Sequence, residues 1–108
     1  MISLPGPPKL GPPESYFHGV WFGAGEDDPI EYYDELDSSR WSIRCVRKYR
    51  DGSLEAFSYA SENWRDKMSE SSLPPVEVIN QNPEFAAREI SKDEFEAIWS
   101  RATQPVPK

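Results

Sequence analysis

Alternation of apolar and polar residues is the clearest pattern along this chain. Side chains of successive strand residues point to opposite faces of a sheet, so a period of two predicts strands. Four segments show it or are extended in character: residues 15–22 (SYFHGVWF), 30–36 (IEYYDEL), 41–50 (WSIRCVRKYR) and 53–60 (SLEAFSYA). We therefore predict an antiparallel sheet of three to four strands.

The dipeptide Asp51-Gly52 separates the last two of these segments. Asp-Gly between alternating segments predicts a β-hairpin with a two-residue turn, which would place Tyr49 opposite Leu54. In that register one face holds Trp41, Ile43, Cys45, Arg47, Tyr49, Leu54, Ala56, Ser58 and Ala60. The other face holds Ser42, Arg44, Val46, Lys48, Glu55, Phe57 and Tyr59. We expect the first, mostly apolar face to pack in the core.

A helical period replaces the alternation near the C-terminus. Ser91 is a suitable N-cap, and Glu94 three residues later completes a capping box. The apolar residues that follow recur at helical spacing: Phe95, Ile98, Trp99 and Ala102. Residues 75–80 (PVEVIN) predict a second, short helix with Pro75 in its first turn. The apolar stripe of the C-terminal helix is expected to bury itself against the apolar face of the hairpin.

Together these elements predict an α+β domain, in which a sheet with a central hairpin packs against the C-terminal helix and one short helix. We assign this domain to residues 14–103. Residues 1–13 contain five prolines and are expected to be an extended, flexible leader, while residues 104–108 form a tail.

The charge of the chain narrows the classes of partner. The formal net charge is −7 and the isoelectric point is near 4.7. Affinity for nucleic acids and for anionic membranes comes mainly from Lys and Arg, so this balance disfavours both. A basic protein partner is compatible with it. No apolar run reaches the roughly 20 residues of a membrane-spanning helix, and the first residues do not resemble a signal peptide, so we expect a cytoplasmic protein.

Acidic residues are concentrated before Ser38, where Lys and Arg are absent over many positions. We take this acidic segment, with two aromatic anchors, as the candidate partner-binding surface: Glu26, Asp27, Asp28, Glu31, Tyr32, Asp34, Glu35, Asp37 and Trp64. The segment lacks the glycine and the spacing of an EF-hand calcium loop. We therefore assign no metal and no cofactor.

Residues that could support catalysis are few. His18 is the only histidine, and no Gly-x-Ser-x-Gly turn is present to supply a nucleophilic serine. Cys45, the only cysteine, excludes an internal disulfide and lies on the predicted core face, where a thiol is inert. Arg44, Lys48, Phe57 and Tyr59 would share the second face of the hairpin and could stack on a single-stranded nucleic acid. Cross-strand pairing of the same side chains, such as Lys48 with Glu55, is the simpler interpretation.

An ordered series of short motifs resembles a known family. The series is aromatic residues 16–21, YDELD 33–37, Arg40, Arg44-x-Val46, Asp51-Gly52, LPPVEVIN 73–80, PEF 83–85 and ISKDEFEAIW 90–99. It is similar to a small bacterial domain family of unknown function that is associated with polymorphic toxin–immunity loci, over residues 15–100 or so. The chain departs from that family where Ser42, Cys45 and Arg47 stand at positions that are usually Glu, Lys and Glu.

The resemblance, the small size and the acidic charge lead to one main hypothesis. The chain would be an immunity protein, not an enzyme, whose acidic surface occludes the basic active-site cleft of a cognate toxin. Two alternatives stay open at this point. One is a nucleic-acid-binding module that uses the hairpin face, and the other is an enzyme with an unrecognised site, for which His18 and Cys45 are the candidate residues.

Overall fold

Four successive strands form an antiparallel meander, and a fifth strand pairs with its first strand. The computed structural model describes residues 10–58 and 72–104. The elements in chain order are β1 (Ser15–Trp21), β2 (Glu31–Leu36), β3 (Ser42–Lys48), β4 (Leu54–Ser58), α1 (Val76–Ile79), β5 (Phe85–Ile90) and α2 (Lys92–Thr103). The sheet has the order β4-β3-β2-β1-β5, and every neighbouring pair is antiparallel. The predicted α+β class with two helices is confirmed.

The fifth strand is the main difference from the predicted sheet of three to four strands. The sequence pattern predicts no strand between the two helices, yet β5 begins at Phe85 and pairs with residues 16–21 of β1. Its sequence, FAAREI, contains one β-branched residue and two alanines, so its intrinsic strand preference is weak. Pairing with β1 therefore determines this strand, and such long-range pairing leaves no local sequence signal.

The β3–β4 hairpin has a three-residue loop and not the predicted two-residue turn. The amide of Tyr49 donates to the carbonyl of Ser53 (3.0 Å), and the amide of Gly52 donates to the carbonyl of Tyr49 (2.9 Å). Gly52 has a φ of 86°, which a residue without a Cβ adopts at little cost. The strand register is consequently shifted by one residue, so that Lys48 lies opposite Leu54.

This shift reverses the faces of β4 relative to β3, because side chains alternate with a period of two. Leu54, Ala56 and Ser58 share a face with Arg44, Val46 and Lys48, while Phe57 pairs with Cys45 on the opposite face. The predicted division of the hairpin into an apolar and a mixed face is therefore wrong.

Helix α2 packs on the face of the sheet that carries Arg44 and Val46, not on the face of Cys45. The ring of Phe95 lies 5.5 Å from that of Tyr16, and the Arg44 guanidinium lies over the rings of Phe95 (5.1 Å) and Trp99 (4.8 Å). Phe95 and Val46 are among the fully buried side chains. The apolar stripe that predicted α2 is thus confirmed, but its docking face differs from the expected one.

The start of α2 follows its sequence signal. The Ser91 hydroxyl accepts a hydrogen bond from the amide of Glu94 (3.1 Å), as an N-cap does. The Glu94 carboxylate accepts a hydrogen bond from Arg88 on β5 (3.3 Å).

Helix α1 lies over the opposite face of the sheet. Phe17, Leu36 and Ala87 form a small core there, and Val76 and Ile79 of α1 pack against it. No helix in the described ranges is long and apolar enough to cross a membrane. The two helices thus cover parts of opposite faces of the sheet. The candidate sites lie on the surfaces that remain exposed.

Candidate functional site: an acidic edge and an apolar groove

Two of the acidic residues predicted to bind a partner are buried and organise the fold. Glu35 is 3% exposed, and Arg44 donates two hydrogen bonds to it, from Nε (2.8 Å) and Nη2 (2.7 Å). Asp37 is 5% exposed and accepts hydrogen bonds from the amides of Ser39 (2.9 Å) and Trp41 (3.0 Å) in the β2–β3 loop. Burial raises the pKa of Asp37, but these backbone donors outweigh it and hold the pKa below its usual value.

Glu31 also has partners within the fold. It accepts a hydrogen bond from His18 Nε2 (2.8 Å) and lies 3.5 Å from Lys48 Nζ. Burial raises the pKa of Glu31, yet the His18 hydrogen bond and the Lys48 charge together lower it below its ordinary value. Glu31 is therefore paired within its own sheet, with His18 on β1 and Lys48 on β3.

The acidic residues that remain exposed lie in the β1–β2 loop. Glu26, Asp27 and Asp28 are all exposed, and Asp28 accepts a hydrogen bond from the amide of Gly25 (3.1 Å). Glu26 and Asp27 form no ion pair or hydrogen bond with any residue in the described part of the chain. These two carboxylates are thus available to a partner.

The β3–β4 hairpin extends this exposed acidic surface. Arg50 donates a hydrogen bond to the carbonyl of Ala24 (2.7 Å), which joins the hairpin loop to the β1–β2 loop. Both loops line one shallow depression, to which Glu26, Asp27, Asp51 and Glu55 contribute. We call the following residues the acidic edge: Glu26, Asp27, Asp28, Asp51 and Glu55. Sequence reasoning missed the last two, because only the packing of the loops brings them near the first three.

A groove of about 440 Å³ lies on the sheet face that carries α1. Its floor consists of two cross-strand pairs, Phe17 with Asp34 and Gly19 with Tyr32. The walls and ends come from α1 with its flanking residues and from the first residue of β5: Leu73, Pro74, Val78, Ile79, Asn82 and Phe85. Tyr32 and Asp34, both predicted to bind a partner, therefore lie in this groove and not on the acidic edge.

Gly19 keeps the floor of the groove low. A Cβ at this position would lie 2.8 Å from the ring of Phe17, closer than real contacts allow. A larger residue would displace the ring that forms the floor. The absence of a side chain at Gly19 therefore leaves the space that the Phe17 ring occupies.

Asp34 is the one acidic residue among the side chains that line the groove. Ser42 donates its hydroxyl hydrogen to Asp34 Oδ1 (2.7 Å), and Oδ2 accepts no hydrogen bond from the residues described. Burial raises the pKa of Asp34 to about 6, against smaller opposing effects of the Ser42 hydrogen bond and the Arg47 charge. A carboxylate with a raised pKa in an apolar concavity is a typical feature of a binding site.

Two sets of hydrogen bonds fix the walls of the groove to the sheet. Arg40 donates to the carbonyls of Leu73 (2.9 Å) and Pro74 (3.1 Å), and its own carbonyl accepts from the Leu73 amide (2.8 Å). At the other end, the Asn80 side chain pairs with the amide (2.6 Å) and carbonyl (2.9 Å) of Ala87 on β5. The groove is thus built with its walls held at both ends.

Arg40 forms its contacts from a strained backbone conformation. Its φ is 61°, in the left-handed region that non-glycine residues rarely adopt, and such strain is of order 1–3 kcal/mol. The β2–β3 loop repeats the hydrogen bonds of the β3–β4 loop, with Arg40 in the place of Gly52. The side-chain contacts of Arg40 explain why an arginine stands where a glycine would be relaxed.

His18 lies in a network that occupies both of its ring nitrogens. Arg88 Nε donates to His18 Nδ1 (3.1 Å), and because a guanidinium can only donate, the ring proton must be on Nε2, which donates to Glu31. The ring also stacks on Tyr33 at 4.5 Å. This arrangement leaves neither nitrogen free to accept a substrate proton.

The residues of the proposed nucleic-acid platform do not share a face. Arg44 lies beneath α2, paired with Glu35 and Glu96, while Phe57 is on the opposite face with Arg47 over its ring (5.1 Å). Tyr59, like the predicted anchor Trp64, lies outside the described residues. The shared aromatic and basic surface is therefore not formed by the described residues.

Cys45 is buried, and burial followed by the Asp34 charge raises its pKa to about 12. Because the thiolate is the reactive form, we predict that native protein at about pH 8 reacts with a thiol reagent at least about a hundredfold more slowly than unfolded protein. Ellman's reagent with and without denaturant measures this. Equal rates in both states would contradict the burial of this thiol.

Within residues 10–58 and 72–104, no three His, Cys, Asp or Glu side chains are grouped so as to hold a metal ion.

A family model described as "Domain of unknown function (DUF6881)" matches residues 15–104. The chain belongs to this family. The match covers nearly all of the predicted domain and agrees with the expected resemblance to a family of unknown function. No curated protein and no solved structure matches the chain.

Proposed function

We propose that this protein is a cytoplasmic immunity-type protein, which binds a cognate bacterial toxin domain and occludes its basic active-site cleft through the acidic edge. The observation that carries the proposal is the exposure of Glu26 and Asp27 without any ion-pair partner in the described ranges. Other carboxylates of the same segment are paired with cations within the sheet, Glu31 with Lys48 and Glu35 with Arg44. The exposed carboxylates of this segment that lack an ion-pair partner among the described residues therefore lie in the β1–β2 loop.

Electrostatic complementarity explains what such an edge would do. Carboxylates gathered at one edge repel one another, and a basic cleft relieves that repulsion when it binds. Complementary charge also accelerates encounter with the right partner and disfavours acidic ones. Because exposed charges are screened by salt, binding through this edge should weaken as ionic strength rises.

Phe22 is an exposed apolar residue close in sequence to the acidic β1–β2 loop. It follows β1, precedes the acidic loop and is 66% exposed, which is unusual for a large aromatic side chain. Interfaces draw most of their binding energy from a few aromatic or Arg residues within a surrounding polar rim. We assign to Phe22 the anchoring role that was predicted for Tyr32 and Trp64. Of these two, Tyr32 lies in the groove.

Growth rescue tests the proposal. The protein encoded directly upstream of this chain is expressed in a bacterial host, alone and with the chain. We expect growth to stop in the first case and to recover in the second. The double substitution Glu26→Gln with Asp27→Asn should reduce the recovery, and Phe22→Ser should reduce it further.

A matched control separates the acidic edge from net charge. Glu14→Gln with Glu77→Gln also removes two negative charges, but at exposed positions outside the edge. This variant should restore growth as well as the unchanged chain does. The proposal fails if the upstream protein is harmless, or if both double variants rescue equally well.

A further inference from the structure

The groove on the α1 face is separate from the acidic edge, and the following proposal does not depend on that edge. We propose that it binds a small organic cation, with an ammonium group at Asp34 and an apolar body between the sheet and α1. The acidic edge lies at one end of the meander, whereas the groove lies over the middle of β1 and β2.

The size and lining of the groove fit a small molecule. Its volume of about 440 Å³ falls within the roughly 300–1,000 Å³ of ligand sites. Such sites are mostly apolar with a few convergent polar groups, and here Phe17, Leu73 and Ile79 provide apolar surface. Val78 lines the groove and is 49% exposed, so apolar surface continues onto the rim.

Charge complementarity identifies the class of ligand. Ser42 occupies one oxygen of Asp34, and the second oxygen has no hydrogen-bond donor among the described residues. The Arg47 charge also acts on Asp34, but Arg47 donates no hydrogen bond to this carboxylate. A carboxylate on the floor of an apolar groove is therefore stabilised further when a charged donor pairs with it directly. An ammonium ion meets this requirement, while a carboxylate or phosphate ligand would be repelled.

The construction of the groove points to binding as well. Arg40 adopts a strained φ of 61° and holds Leu73 and Pro74 in place, and Asn80 fixes α1 to β5. Walls held in this way need little rearrangement when a ligand enters, which reduces the entropic cost of binding.

NMR titration of the full chain with two matched probes tests the proposal. Phenethylammonium carries the cation, and 2-phenylethanol has a similar apolar body without charge. We expect amide shifts at Gly19, Tyr32 and Asp34, and an affinity for the ammonium probe about tenfold higher than for the alcohol. Asp34→Asn should abolish this preference, whereas Glu14→Gln, at an exposed acid outside the groove, should preserve it.

The comparison of the two probes on the unchanged chain tests the proposal even if a variant folds poorly. Equal affinities for the two probes would overturn the proposal, as would shifts confined to residues outside the groove. It would also be overturned if neither probe bound and the same amides shifted only when a protein partner was added. That result would assign the groove to a basic side chain of the partner.

Discussion

Asp34→Asn is expected to stabilise the folded protein by about 1–3 kcal/mol at about pH 8, and the gain should shrink towards zero near pH 4. Burial raises the pKa of Asp34 from 3.8 to about 6. Between these two values the folded chain holds a proton that the unfolded chain has lost, so the stability contributed at this site falls as pH rises. Asparagine resembles the protonated carboxyl group and can keep the hydrogen bond from Ser42.

Urea unfolding at both pH values, monitored by tryptophan fluorescence, measures this difference. Asp27→Asn is the control, because Asp27 is exposed and should change stability by less than about 0.5 kcal/mol at either pH. A variant that is less stable than the parent at the higher pH would show that the charge of Asp34 is well compensated within the fold. The predicted gain, in contrast, would mean that the chain retains a destabilising charge in its groove, as binding sites often do.

Arg44→Met is expected to have the largest destabilising effect, a loss of about 3–5 kcal/mol. Arg44 binds Glu35 through two hydrogen bonds and lies over the rings of Phe95 and Trp99. Methionine keeps much of the apolar stem, but it leaves the Glu35 carboxylate buried without its cation. In a small domain of ordinary stability, a loss of this size removes a large share of the total.

A second substitution identifies the cause of that loss. Glu35→Gln, introduced together with Arg44→Met, removes the uncompensated charge and should restore about 2 kcal/mol. Arg101→Met, at an exposed position in the last turn of α2, should cost less than about 1 kcal/mol. If Arg101→Met cost as much as Arg44→Met, the buried ion pair would not explain the effect.

Local patterns predicted most elements of this fold, and long-range contacts explain the exceptions. Alternation located β1 to β4, and the Ser91 cap with its apolar stripe located α2. Strand β5 has no comparable pattern, since its conformation depends on β1. The hairpin loop differs by a single residue from the predicted turn, and that residue exchanged the faces of β4.

The candidate sites could be predicted from the sequence only in part, for the same reason. The spacing of Tyr32 and Asp34 places both on one face of a strand, but the groove above them exists only because α1 returns to that face. Acidic residues in the β1–β2 loop are neighbours in sequence, whereas Asp51 joins them through the contact between Arg50 and Ala24. No sequence pattern distinguishes Glu35 and Asp37, which are buried, from Glu26 and Asp27, which are exposed.

The most direct test of the account is the affinity between this chain and the protein encoded directly upstream, which we propose to be its toxin, measured by calorimetry at low and high salt. We predict a complex whose affinity falls as salt rises, and a loss of at least about tenfold at low salt for Glu26→Gln with Asp27→Asn. Glu14→Gln with Glu77→Gln should bind like the parent. A complex that is insensitive to salt and to the loss of Glu26 and Asp27 would contradict binding through the acidic edge.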